Sequence, residues 1–238
     1  MPDNRFIFAA IIGGILALGV AGGGAMIGRG IENVRVGDRT VTVRGLSERG
    51  VKADLAVLPL RFASAGNVLS EIQADVDKDL GVVRSFLAAQ GYSPSEIDLG
   101  RLEVVDQYAR EYQQQAVGAR YLVAQTVIVR TTNVDRVQAT TRKLNELVRD
   151  GVVLQDFRGP SYIFTRLNDV RAAMIGEATA SARSGALQFA RDSRSGLGGI
   201  RSATQGSFEI FGRDMVGDEP SQVFKRLRVV TTISYRLQ

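Results

Sequence analysis

The sequence predicts an α+β protein in which an N-terminal transmembrane helix precedes one domain of largely antiparallel sheet with about three helices and an option of two subdomains. Three observations carry this. Residues Phe6 to Ile27 contain no charged or strongly polar side chain. Beyond residue 39, stretches of period two and of helical period follow the order β-β-α-β-β-α-β-α-β-β, so strands do not strictly alternate with helices. Hydrophobic residues make up 45% of the 238, enough for a sizeable core, which excludes disorder of the whole chain.

The uncharged run divides the chain into a cytoplasmic N-terminus at 1–5, an anchor at 6–28, a linker at 29–38 and an exported domain at 39–238. At about 1.5 Å per residue the run spans a bilayer core. A cleaved signal peptide is the rival reading, because Gly23-Gly24-Ala25 suits a signal peptidase. The flanking charges give little orientation bias, and because long domains translocate despite their charge the domain is expected on the non-cytoplasmic side of a bacterial inner membrane. Gly13, Ala17, Ala21 and Ala25 recur at every fourth residue, and Gly19 and Gly23 form Gly-x-x-x-Gly. These six small residues are the candidate helix-packing face.

In the domain, Thr40 to Arg44 and Ala53 to Ala63 read as strands joined by a loop around Gly45 to Gly50. Asn67 to Gln90 has helical spacing at Val68, Leu69, Ile72, Val76, Leu80, Val83 and Leu87, and Gly91 closes it. Strands at Leu99 to Tyr108 and Tyr121 to Thr131 suggest an antiparallel hairpin. Asn133 caps a helix through Arg149 that Gly151 ends. A strand-like Val152 to Phe164, broken at Gly159-Pro160, leads to an Ala-rich helix at Leu167 to Ser193. Strands at Ile200 to Phe211 and Val223 to Leu237 close the chain, the last a candidate sheet edge, with Lys225, Arg226 and Arg228 as charges that either guard it or stand beside it. The two β-β-α stretches suggest related subdomains.

The chain has no His and no Cys, which removes thiolate and imidazole chemistry and the usual zinc sites. Its net charge of +5 is spread as isolated residues, too dilute for a nucleic-acid footprint. Gly196 to Gly199 resembles a phosphate loop, but it follows a helix and precedes a strand, so it reads as a helix-ending turn. Glu71, Asp75, Asp77 and Asp79 lie within a helix and read as a solvated face, not a calcium loop. Glu103 with Asp106, or Glu209 with Asp214, offer two acids of the kind glycoside hydrolysis needs. Tyr108, Tyr112 and Tyr121 would line a ligand groove or fill cross-strand packing. No catalytic, cofactor-binding or metal-ligating residue is assigned, and no cofactor is expected.

Several segments resemble the SIMPL-domain family of bacterial envelope proteins, which includes periplasmic oxidative-stress proteins and an outer-membrane immunogenic protein. These are VTVRGLSERGVKADLAV from Val41, with Gly45 and Asp54 in the places of the family's Gly-rich strand and Pro-Asp; LAAQGYSPSEIDL; Tyr108; YLVAQTVIVRTTNVDRV from Tyr121; LVRDGVVLQDF; and the Ala178 to Ala190 helix with Leu197-Gly198. Ala53 replaces the usual Pro, Ile97-Asp98 inverts Asp-Ile, and Arg183 replaces a common Lys. The resemblance implies export, no established catalytic residues, ring-like or channel-like homo-oligomers in some relatives, and a link to envelope or oxidative stress. The expected function is a membrane-anchored, non-catalytic assembly module. A carboxylate-dependent glycan hydrolase and a small-ligand or lipid-binding protein are the alternatives.

Overall fold

A computed structural model describes residues 13–14, 17–24, 26, 39–109, 118–214 and 219–238. Among the described residues beyond 39 it is α+β, with antiparallel sheets and four α-helices. The described residues form two compact units, one from Glu48–Arg171 and Glu209–Leu227, the other from the described part of Met1–Ser47 with Ala172–Phe208 and Arg228–Gln238.

The first unit is built on an antiparallel sheet of order β3-β4-β2-β5, from β2 (Leu55–Gly66), β3 (Ile97–Asp106), β4 (Tyr121–Thr131) and β5 (Ser161–Ile163). Alternation in β2 puts Ala56, Leu58, Leu60 and Phe62 on one face, each with no exposed surface. Their cross-strand partners include Val127 and Val129, and α1 (Leu69–Ala89) covers this face with Ile72, Val76, Val83 and Leu87. Gly91, at φ 83°, ends the helix as expected. The β3–β4 hairpin also forms, with an irregularity between Leu99 and Leu102.

Asn133 caps α2 (Val134–Thr141), its side-chain oxygen accepting the Arg136 amide at 3.0 Å. The single helix expected through Arg149 instead breaks, and α3 (Asn145–Arg149) follows separately. The Thr140 and Thr141 hydroxyls donate back to the carbonyls of Arg136 and Val137, a local bond that competes with helix continuation. The expected strand Val152 to Phe164 contracts to β5 and a bridge from Leu154 to Phe62, because Asp156 (φ 48°) and Gly159 (φ 88°) leave extended geometry. Both β-β-α stretches were expected as related subdomains. Their strands β2, β3 and β4 instead share one sheet.

The second sheet runs β1-β8-β6, with β7 also paired to β8, from β1 (Thr40–Lys52), β6 (Leu197–Gln205), β7 (Glu209–Gly212) and β8 (Phe224–Leu237). In the second unit α4 (Leu167–Asp192) packs through Ala182 and Ala186 on Val41, Ile233 and Tyr235. Three expectations are corrected here. Gly45 to Gly50 is not a loop but the interior of β1. A Cβ on Gly45 would lie 1.9 Å from the Ala178 carbonyl oxygen, so this glycine admits a helix backbone against the strand. Second, β8 is no edge, since it lies between β1 and β6. Third, Gly196 to Gly199 is not the helix-ending turn. Arg194 takes the left-handed conformation (φ 54°), Gly196 exchanges backbone bonds with Gln238, and Gly198 and Gly199 lie in β6.

Of the anchor-face residues, Gly13, Ala17, Gly19, Ala21 and Gly23 are helical and exposed, while Ala25 lies outside the described residues. So do residues 6–12, 15–16 and 27–28 of the expected span and the linker 29–38. Among the described residues no helix is long and apolar enough to cross a membrane.

Candidate functional site

β1 and β2, which belong to different sheets, are joined only by Ala53-Asp54, and this short bend carries a carboxylate held by four hydrogen bonds. Asp54 accepts from the amide and hydroxyl of Thr165, both at 2.9 Å, and from the amide and Nε of Arg166, both at 3.2 Å. These donors immediately precede α4, so the carboxylate lies at a helix N-terminus, where negative charge is favourable. Burial pushes the Asp54 carboxyl up, but the bonds from Thr165 and Arg166 together outweigh it and hold it below the ordinary carboxylate range.

Asp54 borders an open cleft of about 700 Å³ whose other charged side chains are Lys52, Asp135 and Arg166. Lys52 grips Asp135 through both carboxylate oxygens, at 2.8 and 2.7 Å. The loop Thr132-Asn133 that caps α2 forms another wall. Two cations and two carboxylates thus cancel, and each carboxylate already has its donors. This arrangement ties the β1–β2 turn to the starts of α2 and α4. An Asp54 held ionised at neutral pH has no proton to give, so its chemistry is that of a hydrogen-bond acceptor.

The acid pairs singled out in the sequence are engaged elsewhere. Glu103 meets Arg61 at 2.9 Å, which also binds Asp156 at 2.7 Å. Asp106 is held by Arg120 at 3.0 Å and accepts the Tyr108 amide; the Arg120 hydrogen bond, ahead of the other causes, keeps it below the usual carboxylate range. Glu209 lies on β7 and Asp214 beyond its end, and neither lines the cleft at Asp54. Glu71, Asp75, Asp77 and Asp79 lie on α1, and among the described residues no group of three or more acids is arranged to hold a metal ion. Tyr121 packs at the margin of the core with the Arg120 guanidinium 4.8 Å from its ring centroid, whereas Tyr108 is 62% exposed. The Arg120 pKa is raised first by the Asp106 hydrogen bond and then also by Tyr121 and Tyr108, which both lie close to its guanidinium, and Tyr112 lies outside the described residues.

A protein-family model for SIMPL, described as a protein of unknown function (DUF541), matches residues 41–229. The chain belongs to the SIMPL family. No curated protein matches it. The resemblance read from Gly45 and Asp54 thus acquires geometry in this SIMPL chain: Gly45 seats α4, and Asp54 pins its start. The sequence pointed to Asp54 only through that resemblance. Its partners Thr165 and Arg166, more than 100 residues along the chain, and the Lys52–Asp135 pair had no local signal.

Proposed function

We propose that this SIMPL chain is a membrane-anchored, non-catalytic assembly module of the bacterial cell envelope that works as a homo-oligomer and serves resistance to envelope stress. The observation that carries assembly is β6. It ends the path β1-β8-β6, its residues Gly199 to Gln205 are all exposed, and the segment Ser202-Ala203-Thr204-Gln205 has neither charge nor proline. Sheet edges are ordinarily guarded by such residues, because unpaired amides and carbonyls invite another strand. A second copy supplies that strand, and head-to-tail use of the edge closes a ring when the rotation permits. The anchor at 6–28 would confine copies to one membrane and raise their effective concentration. The non-catalytic part of the reading is supported by Glu103, Asp106 and Asp54, each held by an arginine rather than poised for proton transfer.

Light scattering on full-length protein in detergent tests this reading. The wild type is expected as an oligomer, and Ser202→Lys with Thr204→Lys as a monomer with unchanged circular dichroism. A wild-type monomer at all micromolar concentrations rejects assembly. An oligomer indifferent to the lysines transfers the contact to the Gly13, Ala17, Ala21 and Ala25 face. N-terminal sequencing of envelope-derived protein tests the anchor, and a mature chain starting near Met26 refutes it.

A further inference from the structure

Three segments of the first unit converge at a second cleft. The Ala53 amide donates to the Val223 carbonyl at 2.8 Å, bringing the end of β1 beside the start of β8, and the Arg213 amide donates to the Phe224 carbonyl at 3.1 Å, bringing in the residue after β7. The cleft between them has a volume of about 480 Å³. Lys52, Arg213, Lys225 and Arg226 line it with Phe224 and Gly50, and among the described residues no acidic one does.

The charges do not cancel. Lys52 is matched by Asp135, and the buried Lys225 by Glu219 at 2.7 Å. Arg213 and Arg226 have no carboxylate partner among the described residues, so two of the four cations are unmatched. The Arg213 guanidinium lies 5.6 Å from the Phe224 ring centroid, within cation–π range. Arg226 follows Phe224 by two residues and so projects from the same strand face. At Gly50 an added Cβ would meet nothing within 4 Å, so the cleft floor is open at that point.

We propose that this cleft is a binding site for a phosphate group, gripped by Arg213 and Arg226, with Phe224 beside the group that bears it. Two arginine forks match the several acceptor oxygens of phosphate better than a single carboxylate, and the aromatic wall favours an organic phosphate over a bare ion. The same chemistry is offered by a soluble phosphate compound and by an anionic lipid headgroup.

Titration calorimetry on full-length protein in non-ionic detergent distinguishes the sources, with pyrophosphate as one probe and short-chain phosphatidylglycerol, below its micelle concentration, as the other. Short-chain phosphatidylcholine is the reference. Arg213→Ala with Arg226→Ala is expected to weaken binding at least about tenfold. Gly50→Glu, which adds a carboxylate where nothing obstructs it, is expected to abolish binding. Lys78→Ala with Arg101→Ala, removing equal charge elsewhere, is expected to leave affinity within about twofold. Arginine-dependent binding of phosphatidylglycerol alone assigns a lipid headgroup, and of pyrophosphate alone a soluble ligand. No binding of either probe at millimolar concentration overturns the site, as does equal weakening in the two double variants or phosphatidylcholine binding as tightly as phosphatidylglycerol.

Discussion

Gly45→Ala is the most demanding test of how this fold is assembled. The new Cβ would lie 1.9 Å from the Ala178 carbonyl oxygen, 2.4 Å from the Ala182 nitrogen and 2.8 Å from the Ala182 Cβ. The first two are helix backbone and cannot rotate away. Restoring ordinary contact of about 3.3 Å requires α4 to retreat from β1 by roughly 1.4 Å, and a gap of 0.5–1 Å already forfeits about a quarter to a half of a packing contact. Because α4 is seated by the small side chains Ala178, Ala182, Ala186 and Ala190, no long side chain can follow the strand across the gap. Overpacking ordinarily costs about 1–3 kcal/mol, and a clash with backbone belongs at or above the top of that range. For a chain of this size about 3 kcal/mol corresponds to a fall in Tm of roughly 6–12 °C. Thermal and urea unfolding of full-length protein in detergent, followed by circular dichroism, measures it. Gly50→Ala is the control, expected within about 0.5 kcal/mol of wild type because open space surrounds it. Adding Ala182→Gly to Gly45→Ala should not rescue stability, since the clash with the Ala178 oxygen remains. A Gly45→Ala protein within about 0.5 kcal/mol of wild type would refute the close-approach explanation.

Asp54→Asn should lose about 1–2 kcal/mol at neutral pH, because the amide that replaces one oxygen cannot accept from Arg166. The folded pKa of Asp54 is below its ordinary value, so its contribution is complete above about pH 4 and is lost as pH falls through the folded value. Urea unfolding of both proteins across acid pH should therefore show their difference shrinking, and a constant difference would contradict the assignment. Glu219→Ala should destabilise by about 1–3 kcal/mol, because the buried Lys225 ammonium, 1% exposed, loses its carboxylate and keeps the backbone carbonyl of residue 219 as acceptor. Lys225→Met should be close to neutral in the same assay, since it removes the buried charge while filling similar volume; a larger loss than Glu219→Ala would show that the ion pair itself stabilises the fold.

What was legible in the sequence was what is local in the structure. The alternation of β2, the 3.6-residue spacing of α1, the Asn133 cap and the span of α4 all follow from residues within a turn or two of each other. What was not legible depends on distant segments. Gly45 looks like a loop glycine until α4, which begins more than 100 residues later, is placed on β1. The edge role assigned to β8 came from its place near the chain end, which carries no information about its neighbours in a sheet; β1 and β6 end the path instead, and nothing local in β6 marked it as an edge. Asp156 and Arg194 adopt positive φ without being glycine, so the turns they make were read onto nearby glycines instead. In the candidate site, Glu103 and Asp106 were visible as acids, but only the fold reveals that Arg61 and Arg120 neutralise them.

That neutralisation bears on how the two clefts differ. At the first, each carboxylate has a cation beside it, and such partly exposed pairs contribute about 0–1 kcal/mol apiece, so they chiefly fix the positions of the segments they join. At the second, Arg213 and Arg226 lie with two further cations around one concavity. Lys52 and Lys225 are neutralised by Asp135 and Glu219, which leaves Arg213 and Arg226 without a carboxylate beside them among the described residues, so no ion pair of theirs braces the fold. The sheet does not require their charges either. Arg226 is not fully buried, and Arg213 lies beyond the end of β7, so uncharged residues would serve pairing equally well. The two unpaired arginines are what the proposed phosphate site uses, and an oxyanion bound there would stabilise the chain in proportion to its occupancy.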